Sequence, residues 1–157
     1  MTPFNPALDL ELTRDFTAPP ATIWRCWTDP ALLCQWWTPK PVVTREAVIE
    51  PWAGGRFFSL MVMPDGLEMP NEGSLLEVVT HERLVFTDLM TAGWCPVENP
   101  GLGFTAIITF APQGSGTRYT ARARHRTPAQ MKTHSDMGFH DGWGTAAAQL
   151  ETLSAGL

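Results

Sequence analysis

Apolar and polar residues alternate at the start of the chain. Over residues 8–16, Leu8, Leu10, Leu12 and Phe16 share one face, and Asp9, Glu11, Thr13 and Asp15 share the other. That alternation predicts a half-buried strand. Pro19-Pro20 ends it, and the periodicity changes. Pro20 suits a first helical turn, and Ile23, Trp24 and Trp27 recur at helical spacing. Asp29-Pro30 interrupts this helix; Leu32, Leu33, Trp36 and Trp37 predict a second short one, stopped by Pro39. From Val42 to about Arg126 the signals are strand and turn throughout. Strands are expected over residues 42–50, 56–63, 74–80, 83–90, 104–112 and 117–126. Ala53-Gly54-Gly55, Pro64-Asp65-Gly66, His81-Glu82, a loop around Gly93–Gly101 and Gln113-Gly114-Ser115-Gly116 join them. Short turns between consecutive strands make an antiparallel meander. In the last strand Tyr119, Ala121, Ala123 and His125 point one way, and Arg118, Thr120, Arg122 and Arg124 the other.

Thr127 then serves as N-cap and Pro128 as first residue of a long helix expected to run to about Ser154. Phe139, Trp143, Ala146, Leu150 and Leu153 form its apolar stripe. Gly138, Gly142 and Gly144 fall inside it, each costing about 1 kcal/mol relative to alanine. Close approach of a sheet, or volume left for something else, would account for them. The element order is α+β: about seven antiparallel strands, two short helices after the first strand and one long C-terminal helix. A sheet twists and coils, so it can curve around that helix and leave an inner volume between the two layers.

Composition sharpens this picture. The 157 residues suit one domain, 1–157, large enough for a core without disulfide or metal staples. Seven Trp, eight Phe and seven Met are many for this length. Such side chains overfill a core or line a cavity. The net charge of -5 argues against a nucleic-acid partner, and the arginines at 118, 122, 124 and 126 look like the solvated face of a strand. Cys26, Cys34 and Cys95 are odd in number and form no C-x-x-C, so neither a disulfide framework nor a zinc ribbon is suggested. The N-terminus lacks a basic-then-apolar leader pattern, and no apolar run approaches the roughly 20 residues of a membrane span. A reducing cytoplasm is the simplest compartment, and no membrane partner is expected.

Four ordered blocks carry a resemblance: LTRDFTAPPATIWRCWTDPALLCQWWTP, EPWAGGRFFSLMVMPDG, NEGSLLEVVTHERLVFTDL and MGFHDGWGTAAAQLETL. They resemble homologues of the activator of the heat-shock protein 90 ATPase, within the START-like (SRPBCC, helix-grip) superfamily. The likeness runs from Leu10 to Leu153. It implies a helix-grip fold and a hydrophobic cavity between the sheet and the C-terminal helix. Members of the superfamily bind lipids, hormones or polyketides, and a few catalyse cyclisation or hydration. The eukaryotic co-chaperones carry an additional N-terminal domain that engages the chaperone. No such domain is expected before Leu10, so no stimulation of that ATPase by this chain alone is expected. A dimer has only weak support from the superfamily, which leaves monomer and homodimer both open.

Strand parity and the crossing helix nominate a lining: Trp36, Phe57, Met61, Phe86, Phe104, Ala123, His125, Met137 and Phe139. Ala123 is expected to face Gly138 and Gly142 across a void. His125 is the foremost polar candidate, either satisfying a neighbour or acting on a ligand, with Asp88 as a partner type and His140 as a second proton shuttle. His134 and His140 are six apart, off the helical metal-pair spacing, and no metal site is expected. Nucleophile elbows, Walker loops and dinucleotide fingerprints do not occur, so no nucleotide cofactor is expected. The reading that needs least is a binding module for a small apolar or aromatic, lipid- or polyketide-like molecule. The alternative is a cavity enzyme of the polyketide cyclase or hydratase type; a chaperone-associated protein comes third.

Overall fold

A computed structural model describes residues 2–157. Its elements are β1 (Asp9–Phe16), α1 (Pro20–Thr28), α2 (Pro30–Leu33), β2 (Val43–Ile49), β3 (Arg56–Val62), β4 (Glu68–Val79), β5 (Arg83–Thr87), β6 (Met90–Thr91), β7 (Cys95–Pro96), β8 (Phe104–Gln113), β9 (Gly116–His125), α3 (Pro128–Asp136) and α4 (Phe139–Ala155). Among the described residues the main sheet has seven strands in the order β1-β9-β8-β5-β4-β3-β2, and every pairing is antiparallel. This is the expected α+β helix-grip architecture: the α3–α4 segment lies across one face, and α1 and α2 close one end.

Local chemistry explains the boundaries. Pro20 opens α1; the Asp29 side chain accepts from Ala31 N (3.0 Å) to cap α2; and Thr127 Oγ1 accepts from Gln130 N (3.2 Å) to cap α3. Two expectations need correction. The helix from Pro128 is not continuous: Gly138 adopts φ 94° and separates α3 from α4. Its N–H bonds back to Ser135 O (3.0 Å), while its C=O accepts from Gly142 N (2.8 Å), so one left-handed residue ends one helix and starts the next. The strand expected to start at residue 74 begins at Glu68, where it pairs with Val62. Its first five residues are exposed, so they carry no apolar alternation. The β6–β7 ribbon lies inside the expected loop and the end of the strand before it.

The register places charges opposite each other. Asp9 faces Arg124, Glu11 faces Arg122 and Asp15 faces Arg118 across β1 and β9, and each pair is bonded. Arg118, Arg122 and Arg124 of the arginine run are thus matched by carboxylates on the neighbouring strand, and Arg122, expected on a solvated face, is instead buried in its pair with Glu11. On the other face Tyr119, Ala121, Ala123 and His125 are all buried, as the alternation predicts. Trp27, fully buried, centres the core, with its ring 4.9 Å from Trp36, 5.3 Å from Trp37 and 5.9 Å from Phe86. These contacts hold the two short helices onto the sheet.

Candidate functional site

A cavity of about 510 Å³ lies between the inner face of the sheet and the α3–α4 segment. Five elements form its aromatic wall. The turn after α2 contributes Trp36 and Trp37, strands β3, β5 and β8 contribute Phe57, Phe86 and Phe104, and α4 contributes Phe139 and Trp143. Period two on β3 brings Phe57, Ser59 and Met61 to the same side, with Met63 following. Met69 and Met137 line it too and are exposed, which puts flexible thioethers at the rim. Gln149 of α4 fastens the Trp36–Thr38 segment: its Nε2 donates to Trp36 O (3.0 Å) and Thr38 O (2.8 Å). Gly142 lies in the wall, and a Cβ built there meets nothing within 4 Å. That glycine leaves volume in the cavity.

Most polar groups of the lining are already committed. Trp37 Nε1 donates to Ser59 Oγ (3.2 Å) and Thr87 Oγ1 donates to Phe104 O (2.9 Å). Glu72 is ion-paired with Arg56. Asp88 accepts from Gly103 N (3.0 Å) and Phe104 N (2.9 Å). Its carboxylate therefore fixes the start of β8 and does not pair with His125. Tyr119 closes another part of the lining, and burial pushes its phenol well above the ordinary tyrosine range.

His125 and His134 form a buried pair. His125 Nδ1 lies 2.8 Å from Leu8 O, and His125 Nε2 lies 2.8 Å from His134 Nδ1. Only His134 of the two borders the cavity, its ring packed 5.1 Å from Phe104 and 5.2 Å from Phe139. Burial, reinforced by the neighbouring His125, pushes the His134 imidazole down to about 4.

Of the nine nominated lining residues, Trp36, Phe57, Met61, Phe86, Phe104, Met137 and Phe139 border the cavity. Ala123 and His125 stand behind the wall. Phe139 packs over Ala123 in a small cluster with Leu10, and Phe104 and His134 stand around His125. The expected void opposite Ala123 is filled by the Phe139 ring. His140 is exposed and lies outside the cavity. His134 is the group that sequence reasoning missed. Helical spacing from His140 set it aside as a metal ligand, while its partner is on β9, nine residues earlier and across a turn. Among the described residues no cluster of three or more His, Cys, Asp or Glu could hold a metal ion. Burial also pushes the Cys26 thiol up to about 11, which leaves it un-ionised near neutrality.

The architecture and the cavity define a START-like domain, a ligand-binding type of fold. Residues 17–155 match the family model described as Activator of Hsp90 ATPase homolog 1-like protein, and the chain belongs to that family. A protein of known structure from Nitrosomonas europaea is 41% identical, with a TM-score of 0.92 and 96% of each chain covered. One from Rhodobacter sphaeroides is 24% identical, with a TM-score of 0.84, covering 99% of this chain and 97% of that one. An AHSA1-like protein from Aeromonas hydrophila shares the fold at 18% identity and a TM-score of 0.71, with 95% of this chain and 93% of that one covered. None of the curated proteins matches the chain.

Proposed function

We propose that this protein binds a small apolar or aromatic molecule in the cavity between its sheet and the α3–α4 segment. The observation that carries this reading is the unfilled, aromatic-walled volume of about 510 Å³. Well-packed interiors rarely leave gaps larger than a water molecule. A volume within the roughly 300–1,000 Å³ range of ligand pockets, apolar with few polar groups, suits a small ligand. The neutral probe N-phenylnaphthylamine, which brightens on leaving water, tests it. Saturable brightening and a ligand-dependent rise in melting temperature are expected. The same titration on Gly142→Leu, whose side chain would occupy the cavity, should give neither.

The His125–His134 pair favours a second reading, a cavity enzyme in which His134 accepts a proton from an acidic C–H or O–H group. Protein-accelerated deuterium exchange at the acidic carbon of β-tetralone, lost in His134→Phe, would support it; unaccelerated exchange would count against it. The three free cysteines suit a reducing compartment such as the cytoplasm, and no helix of the described residues is long and apolar enough to cross a membrane. The arginines at 118, 122 and 124, already matched by carboxylates, offer little to a phosphate backbone.

A further inference from the structure

The hydrogen bonds of the buried histidine pair determine where its protons sit. Leu8 O is a carbonyl and can only accept, so His125 Nδ1 must carry the proton in their 2.8 Å contact. A neutral His125 then has an unprotonated Nε2, which accepts. The 2.8 Å contact to His134 consequently requires that His134 Nδ1 donate. A neutral imidazole has one N–H, so His134 Nε2 is left with a lone pair. Among the described residues that atom has no hydrogen-bond partner, although His134 is only 5% exposed. It is not sealed off either: among the described residues, the fully enclosed side-chain polar atom without a partner is Trp27 Nε1. His134 belongs to the cavity wall, beside Phe104, Phe139 and Trp143. A residue of the cavity wall therefore carries a free hydrogen-bond acceptor whose state is set from behind by Leu8 and His125.

The charges around the cavity narrow the occupant further. Among the described residues that line it, the charged ones are Glu72 and Asp88, and none is Lys or Arg. An anionic ligand would find in this wall no Lys or Arg, only Glu72, already paired with Arg56, and Asp88, already held by backbone N–H groups, and would lose its hydration in an apolar site. A neutral donor suits the lone pair, and the flat rings of the wall suit an aromatic body.

Resting on the binding function proposed above, we infer that the ligand is a neutral hydroxyl-bearing aromatic, of the phenol or enol type, whose O–H donates to His134 Nε2. Carboxylate ligands such as free fatty acids are selected against by the same arrangement.

Three probes of one shape decide this by calorimetry: naphthalene, β-naphthol and β-naphthoate. The expected order is naphthol tighter than naphthalene by roughly tenfold, about the worth of one good hydrogen bond, with naphthoate weakest. His134→Phe should remove the advantage of naphthol and leave naphthalene affinity nearly unchanged. A second measurement does not depend on that variant folding. In the unaltered protein, nitrogen NMR of the histidines should show His134 protonated on Nδ1 and bare on Nε2, with the Nε2 resonance moving when naphthol is added. Equal affinity for naphthol and naphthalene, preference for naphthoate, or a proton resident on His134 Nε2 would overturn the inference while leaving the cavity a binding site. Binding of none of the three would overturn both readings.

Discussion

His125 Nε2 and His134 Nδ1 lie 2.8 Å apart, joining the end of β9 to the last turn of α3 through a buried contact. The contact binds the sheet to the helix that roofs the cavity, and it makes the roof sensitive to acid. The unfolded chain protonates His134 near its ordinary value of 6.5, whereas the folded chain resists down to about 4. Between those values the folded state holds fewer protons, so stability is complete above about pH 6.5 and falls as the pH drops toward 4. His125 on β9 is the titratable group facing it, Asp88 is engaged by backbone N–H groups, and Phe104, Phe139 and Trp143 are uncharged. At about 1.4 kcal/mol per pKa unit, a loss on the order of 2–3 kcal/mol is expected. Urea melts across this range should show that loss in the unaltered protein and a flatter profile in His134→Phe.

Asp9 and Arg124 give a second measurable pair. The Asp9 side chain has no solvent exposure. Burial pushes its carboxyl up, but bonds from Arg124 and the Asn5 N–H outweigh that and hold it below the usual carboxylate range. Arg124→Met strands the carboxylate and should cost about 2–3 kcal/mol at neutral pH, read by denaturant melts. Asp9→Asn in the same background should recover part of that cost, because the buried charge is gone.

Two glycines four residues apart should respond with opposite signs. Gly138 holds φ 94°, a conformation that penalises an alanine by roughly 1–2 kcal/mol, so Gly138→Ala should lower the melting temperature. Gly142 is helical with open space before it, so Gly142→Ala should raise stability by up to about 1 kcal/mol. Gly142→Leu should keep that stability and lose probe binding. Thermal melts paired with probe titrations separate the two effects.

Much of the architecture was legible in the sequence because each signal was local. The alternation on β9 placed Tyr119, Ala121, Ala123 and His125 on a buried face, although Arg122 opposite them is buried as well; Pro20, Asp29 and Thr127 marked helix starts, and the Asp29 and Thr127 side chains cap theirs. The break at Gly138 was not legible, since a helical glycine and a left-handed one look alike in a string of residues. The outer half of β4 was hidden for a different reason: it is exposed on both faces and pairs through its backbone. The cavity wall was readable wherever strand parity decided it, as at Phe57, Met61 and Phe86. Ala123 shows where parity stops, because it faces inward as expected and is then covered by a ring from another element. The role of His134 depends on a partner across a turn and could not be reached from helical spacing.

The central claim is that the cavity, rather than the surface, receives an apolar molecule, and the seven tryptophans allow a direct test. Trp36, Trp37 and Trp143 line the cavity, while Trp52 and Trp94 are exposed elsewhere, 57% and 54% accessible. Indole N–H resonances, assigned and followed while naphthalene is added, report each ring separately. Saturable shifts at Trp36, Trp37 and Trp143, with Trp52 and Trp94 unmoved, are the result expected. Shifts confined to Trp52 and Trp94, or no saturable shift at any indole, would contradict the claim.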